Sequence, residues 1–396
     1  MIVRNLKIRE IFTTTSEKTI EIELETDKVY VRSSVPMGTS RSRYEVRYLP
    51  TDVAIRRFAI LRRNFRTQSF NSQKEVDDFL HTIDKSVSFR EIGGNLALAL
   101  SSVFLKAFAA EVGVELWEYV ASVVKRKKLE IPKPLCNIVG GWHRKSIQEF
   151  LLLPVHQSSF LSSVEKITEA YKEIGEKLEQ IDKSFRYGKN IESAWVTALP
   201  IEKILSLLKD VADKRMLKIG IDVAASQLWD GKFYVYQRDK NGVYERMTRP
   251  EQTAFISDIA ERYPIAYIED PFHEDDFLGF AILTQRLSEK LIVGDDLYAT
   301  NIKRLQKGII HKSTNAVIVK PNQIGTITDT MNFVAEAQKH KWKIVMSHRS
   351  SETEDTLICH LAVGLGCDYV KFGISGERVA KINEMIRIEE RLKANL

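Results

Sequence analysis

Between positions 20 and 25 apolar and acidic residues alternate: Ile20, Ile22 and Leu24 are interleaved with Glu21, Glu23 and Glu25. Successive side chains of a strand point to opposite faces, so this period of two predicts a half-buried strand in a small antiparallel sheet. Further on the period changes. Leu96, Leu100, Val103, Phe104, Ala107 and Phe108 recur three and four residues apart, which predicts an amphipathic helix. Strands followed by helices over the first ~125 residues make an α+β domain. Its end is marked by Lys125, Arg126, Lys127 and Lys128, with Pro132 and Pro134 close behind. No aromatic platform accompanies this basic run, which therefore reads as a solvated linker or helix end. The chain is expected to divide there into residues 1–128 and 129–396.

Beyond the divide, short apolar runs recur, each closed by a charged or polar residue: LKIGID, IAYIED, LIVGDD, AVIVK, KIVMSH and YVKFG. The closing positions Asp222, Glu269, Asp295, Lys320, His348 and Lys371 are spaced by 47, 26, 25, 28 and 23 residues. Four of the five intervals suit one strand plus one helix, the unit of an α/β barrel of the (β/α)8 type, in which chemistry sits at the C-terminal ends of the strands. A dinucleotide site is not indicated, because Gly364-Leu365-Gly366 has no third glycine.

Composition narrows the class. With 396 residues, 44% hydrophobic and 28% charged, the chain is globular. Its 59 basic against 53 acidic side chains leave +6, too small an excess to predict a nucleic-acid or membrane partner. Cys136, Cys359 and Cys367 are too few for a disulfide framework and suit a reducing compartment. The first residues lack a signal-peptide core, and the apolar segment from Leu96 to Trp117 is broken by Lys106 and Glu111, so a cytoplasmic protein is expected. Cys359-His360 reads as part of a buried helix rather than a nucleophilic pair, and Phe104, Phe108 and Trp117 as core.

Asp222, Glu269 and Asp295 would converge on the barrel axis, where crowded negative charge demands a cation. Oxygen donors without His or Cys favour Mg²⁺. Lys320 and Lys371 close two further strands, and a lysine held beside cations loses proton affinity and can serve as a base. Ser347-His348-Arg349-Ser350 brings hydroxyls and a guanidinium suited to phosphate. The cavity thus calls for a small phosphorylated carboxylate.

These residues lie in segments that resemble enolase (phosphopyruvate hydratase). KPNQIGTITDT from Lys320, SHRSSETED, IGIDVAAS, YPIAYIEDPFHEDD, VGDDLYATN and RIEERL are similar to the family's barrel segments. IGGNLALALSSVFLKAFAAE and VPMGTS resemble a helix and the mobile loop of its first domain. The resemblance implies a carbon–oxygen lyase that interconverts 2-phosphoglycerate with phosphoenolpyruvate and water, using two Mg²⁺ ions per site in a homodimer. It places the first ion on Asp222, Glu269 and Asp295, the base on Lys320 and the substrate carboxylate on Lys371. It further assigns the phosphate to Arg349 and Ser350 beside His348, and the second ion to Ser40. His143, Gln148 and Glu149 fall near the leaving hydroxyl, and Glu192, backed by Glu149, is the candidate general acid.

Departures from the family pattern gather in loops. Arg41 and Arg43 stand in the mobile loop, Trp142 precedes His143 in a shortened segment, Ser351 replaces a glycine, and acidic and glycine neighbours of Glu192 are missing. KFGISGERVAK after Lys371 is short and lacks one arginine. Two alternatives stay open: an enzyme for another phosphorylated or 2-hydroxy carboxylate, and a catalytically weak homologue kept for binding.

Overall fold

The computed structural model describes residues 1–39, 41–141, 146–237 and 243–394. The chain opens on an antiparallel meander of β1 (Val3–Phe12), β2 (Lys18–Thr26) and β3 (Tyr30–Ser34), paired in that order. Ile20, Ile22 and Leu24 are buried as the alternation predicts, yet Glu21 and Glu23 on the other face are only 5% and 9% exposed. Arg9 of β1 lies across them and pairs with both carboxylates. The polar face is thus closed by ion pairs rather than open to water.

Four helices follow: α1 (Thr51–Arg66), α2 (Gln73–Ile83), α3 (Gly94–Val112) and α4 (Leu116–Val123). The expectation for α3 needs correction. Leu98 and Leu105, opposite the predicted apolar face, are as buried as Leu96 and Leu100, so the helix is not amphipathic. Its position explains this: α3 packs against β2 and β3, against α1, α2 and α4, and against barrel-side helices Pro321–Ile324 and Ile327–Lys339. It is long and apolar enough to cross a membrane, but 78% of its apolar window is buried within the fold. The basic run that follows α4 is only partly solvated, because the Arg126 guanidinium reaches Leu365 O at 3.2 Å.

The remainder is a closed eight-stranded barrel wrapped by helices. It begins with β4 (Lys133–Gly140), β5 (Glu149–Pro154), α5 (Phe160–Ile181), α6 (Ile201–Asp213) and β6 (Leu217–Asp222). A hairpin, β7 (Tyr234–Gln237) with β8 (Tyr244–Met247), and α7 (Arg249–Arg262) lead to β9 (Ile265–Glu269); this insertion accounts for the long interval between Asp222 and Glu269. The units α8 (Phe277–Arg286), β10 (Leu291–Gly294), α9 (Ile302–His311), β11 (Ala316–Val319), α10 (Pro321–Ile324), α11 (Ile327–Lys339) and β12 (Lys343–Ser347) follow. The chain closes with α12 (Leu357–Leu365), β13 (Tyr369–Lys371) and α13 (Val379–Ala394). Leu135, Leu151, Leu153, Tyr267, Val293, Ala316, Ile318 and Val345 fill the barrel interior.

The barrel departs from a uniform (β/α)8 pattern at β5, which runs antiparallel to both β4 and β6. Gly140 and Glu149 are separated by eight residues, fewer than the dozen or so that a parallel crossover requires. The reversal puts the first residue of β5 on the rim that carries the last residues of the other strands.

The small sheet is fixed to the barrel by Asp355. Its carboxylate accepts from Lys106 Nζ of α3 at 2.7 and 2.8 Å, from Ser33 Oγ at 3.0 Å, from Ser34 N at 2.9 Å and from Leu357 N at 2.9 Å. Burial would raise this carboxyl, but Lys106 holds it below its ordinary value. Removing one member of a buried pair strands the other. Asp355→Ala should therefore cost about 3 kcal/mol or more of unfolding free energy, read from urea denaturation, with Asp355→Asn intermediate. An unchanged midpoint in the alanine variant would contradict this account of the joint.

Candidate active site

At the barrel rim the strand register sets three acids side by side: Glu149 opposes Asp222, and Asp222 opposes Glu269. All three are buried. Into them reaches Lys371 from the end of β13, its ammonium 2.8 Å from Asp222, 2.8 Å from Glu269 and 2.9 Å from Glu149. These carboxylates drive the lysine well above its ordinary value although burial opposes them. Glu269 also accepts from Tyr267 OH at 2.6 Å. Burial, and next the charge of Asp222, push Glu269 up to about 8, so even with Lys371 present the site is over-supplied with negative charge.

Lys320, just past β11, forms the second focus. It is ion-paired to Asp295, which also accepts from Gln323 Nε2 at 3.1 Å. Burial works against both charges. Lys320 nevertheless stands above its ordinary value and Asp295 below its own, chiefly because each is held by the other. The nearest partner of Lys320 is thus a carboxylate that raises its proton affinity, whereas the sequence-based expectation concerns a lysine beside a bound cation.

The three expected metal ligands are thus brought to one mouth but interleaved with ammonium groups. Among the described residues the acids whose oxygens gather within 4.8 Å are Asp270, Asp295 and Asp296. Asp270 accepts the backbone N–H groups of Asp295 at 3.0 Å and Asp296 at 2.7 Å, and so shapes the turn that presents Asp295. Its neighbours Glu269 and Asp295 were singled out in the sequence, where Asp270 and Asp296 were equally visible in IED and GDD.

Glu149 and Glu192 form a coupled pair. Burial, then the charge of Glu192, raise Glu149 well above its ordinary value. Glu192 is held below its own value, against burial, by its hydrogen bond with Glu149 and by the nearby positive charges. Proton affinity within the pair is therefore shifted toward Glu149, whose other neighbours are Asp222 and Lys371. Asn137 Nδ2 donates to Glu192 at 3.2 Å. His348 Nε2 lies 3.8 Å from the same carboxylate, and burial, with Arg378 adding, keeps its ring neutral.

Arg378 gave no signal in the sequence. Fully buried, it donates to Arg349 O at 2.7 Å, Ser350 O at 2.5 Å and Ile191 O at 2.9 Å. One guanidinium thereby ties the loop of Arg349 and Ser350 to the loop of Glu192, a positioning role.

The Arg349 guanidinium meets Glu45 through both nitrogens, at 3.2 Å. Ser350 Oγ bonds Thr39 N at 3.0 Å and Thr39 Oγ1 at 2.8 Å. Gly38 lets the loop come this close, since a Cβ there would sit 1.6 Å from Nη2 of Arg349. Arg43 pairs with Glu274 and Asp275, and Tyr44 OH donates to Asp275 at 2.6 Å, so the unusual arginine in this loop anchors it to the loop after β9. Arg41 instead lies over Tyr48. A cavity of about 810 Å³ opens among these groups, lined by Gln148, Glu149, Glu192, Asp295, Lys320, His348, Arg349 and Ser350 with the other rim residues. Gln148 accepts from Gln227 at 2.8 Å. Ser40 and His143 lie outside the described residues.

Two family models match the chain: "Enolase, N-terminal domain" over residues 3–120 and "Enolase, C-terminal TIM barrel domain" over residues 128–396. Among curated relatives, the enolase of Pyrobaculum aerophilum is 37% identical, covering 97% of this chain and 96% of its own length. The enolase of Methanocorpusculum labreanum is 36% identical over 98% and 99% of the two chains. That of Archaeoglobus fulgidus is 35% identical over 98% of each. Full-length likeness of this degree, on a barrel whose rim gathers the acids, the two lysines and Arg349 just described, shows that the chain belongs to the enolase family.

Proposed function

We propose that the chain interconverts 2-phosphoglycerate with phosphoenolpyruvate and water, as a phosphopyruvate hydratase. The observation that carries this reading is one cavity in which Lys320 and two buried, adjacent carboxyl groups, Glu149 and Glu192, stand beside Lys371 and Arg349. Lys320 takes the proton from C2. The electron pair of that bond first moves into the substrate carboxylate, giving an enolate; it then returns as the C2–C3 double bond while the C3–O bond breaks, and the Glu149–Glu192 pair gives a proton to the departing oxygen, which leaves as water. Lys320 acts as a base only when Asp295 releases it, because that carboxylate keeps the amine protonated. Arg349 and Ser350 receive the phosphate, with Glu45 now filling the guanidinium fork as a phosphate would. Lys371 holds the substrate carboxylate, while Gln148 and His348 complete the walls; the catalytic role that the resemblance gives His143 concerns a residue outside those described.

Asp222, Glu269 and Asp295 would hold Mg²⁺, with Ser40 serving a second ion. The donors fit: all are hard oxygens, Glu269 Oε1 is buried without a hydrogen-bond partner among the described residues, and like charges crowd Glu269. Bound there, the ion supplies positive charge to the substrate carboxylate as it accumulates electron density. We further infer two units meeting at residues 128 and 129, a homodimer, and a cytoplasmic location, the last supported by three free, buried cysteines.

Mg²⁺ at millimolar concentration should raise Tm through linkage, and Asp295→Asn should abolish the rise. A variant that keeps the full rise would remove Asp295 from the ligand set. Lys320→Ala should lose both turnover and exchange of the substrate's C2 hydrogen with deuterated water; exchange at the parent rate would contradict its role as base. Glu192→Gln should retain that exchange while dehydrating slower by ~10² to 10⁴. If it dehydrates normally and Glu149→Gln is inactive, the proton is delivered by Glu149 without its partner.

A further inference from the structure

The modest net charge of the whole chain conceals a local concentration on α1. That helix carries Arg56, Arg57, Arg62, Arg63 and Arg66 against a single acid, Asp52. Its buried stripe is Ala54, Phe58, Leu61 and Phe65. At 100° per residue, Arg56, Ile60 and Arg63 follow the opposite ridge, Arg57 leaves on one flank, and Arg62 and Arg66 leave on the other. All five arginines are exposed. Arg56 meets Asp52 at 2.8 Å, a pair in which both side chains are more than 60% exposed and which contributes little. Arg57, Arg62, Arg63 and Arg66 have no ion pair among the described residues. On the neighbouring sheet, Arg4 pairs with Asp27, Arg9 with Glu21 and Glu23, and Lys18 with Glu10. None of the α1 residues lines the active-site cavity, so catalysis does not account for the row.

We propose that the outer face of α1 binds the phosphate backbone of duplex DNA without base preference. Four unpaired guanidiniums on one short helix repel one another unless an anion of matching extent neutralises them, and guanidinium forks match phosphate. A membrane surface suits the helix poorly, because its apolar face is spent in the core and Ile60 is its one exposed large apolar side chain. A single strand would want aromatic side chains on which to stack, and Phe58 and Phe65 both point inward. The arginines leave the ridge on both sides, a spread that serves the two backbones bordering a B-form major groove about 12 Å wide; the narrow A-form groove of duplex RNA excludes a helix.

The test uses the full chain and a fluorescent DNA duplex of random sequence, with anisotropy followed against salt. Four phosphate contacts predict a slope of log K on log salt of about −3.5. Arg57→Gln with Arg63→Gln should bring it to about −2 and weaken low-salt binding at least about tenfold. Circular dichroism and turnover should stay at parent values, and Lys127→Gln with Lys128→Gln should bind like the parent. Absence of binding at low salt, an unchanged slope in the α1 variant, or tighter binding to single-stranded DNA, duplex RNA or anionic phospholipid vesicles would overturn the proposal.

Discussion

The active site is governed by the repulsion of buried carboxylates. Glu149, Asp222 and Glu269 sit in one cross-strand row, with Asp295 beyond them, and no barrel mouth of low dielectric tolerates that many negative charges uncompensated. Two ammonium groups offset part of that charge, and the most crowded acids gain proton affinity. Lys371 serves three carboxylates at once, Lys320 serves Asp295, and Glu149 and Glu269 are pushed upward by burial and by the carboxylates beside them. A site arranged in this way is primed for cations and for proton transfer by the same physics. Any positive charge that engages the acids frees a lysine, and any proton that leaves the pair has a substrate oxygen to go to.

The architecture around the mouth serves that balance. Reversal of β5 delivers Glu149 to a rim from which a uniformly parallel barrel would have excluded it. The Asp270 carboxylate holds the turn at Asp295 and Asp296 that sets Asp295 opposite Lys320. Arg378 draws the loop of Arg349 and Ser350 and the loop of Glu192 onto one buried guanidinium. The amino-terminal loop reaches in from the other unit, held at Glu45 by Arg349 and at Arg43 and Tyr44 by Asp275. Asp355 and α3 fix that unit against the barrel, so a loop belonging to the small sheet can complete a cavity belonging to the large one.

Much of this was legible in the residues. The alternation of Ile20, Ile22 and Leu24 gave the strand, and the charged ends of six apolar runs marked five strand-end groups of the site and His348 beside them. Periodicity and strand-end chemistry are local, and local patterns survive in a linear string. The partners of those groups were not local. Arg378 and Glu45 act through contacts with loops far away in the chain, and nothing in their own neighbourhoods distinguishes them from surface charges. The burial of α3 on all sides and the closure of Glu21 and Glu23 under Arg9 likewise depend on what packs above them.

The sequence by itself determined which charged residues close the strands and that a barrel would bring them to one mouth, because strand period and helix length are dictated within a few residues. Tertiary structure alone decided the direction of β5, the company each charge keeps and therefore where the protons reside. Proton affinity is a property of the surrounding field, and that field exists only once strands distant in sequence have closed into the barrel.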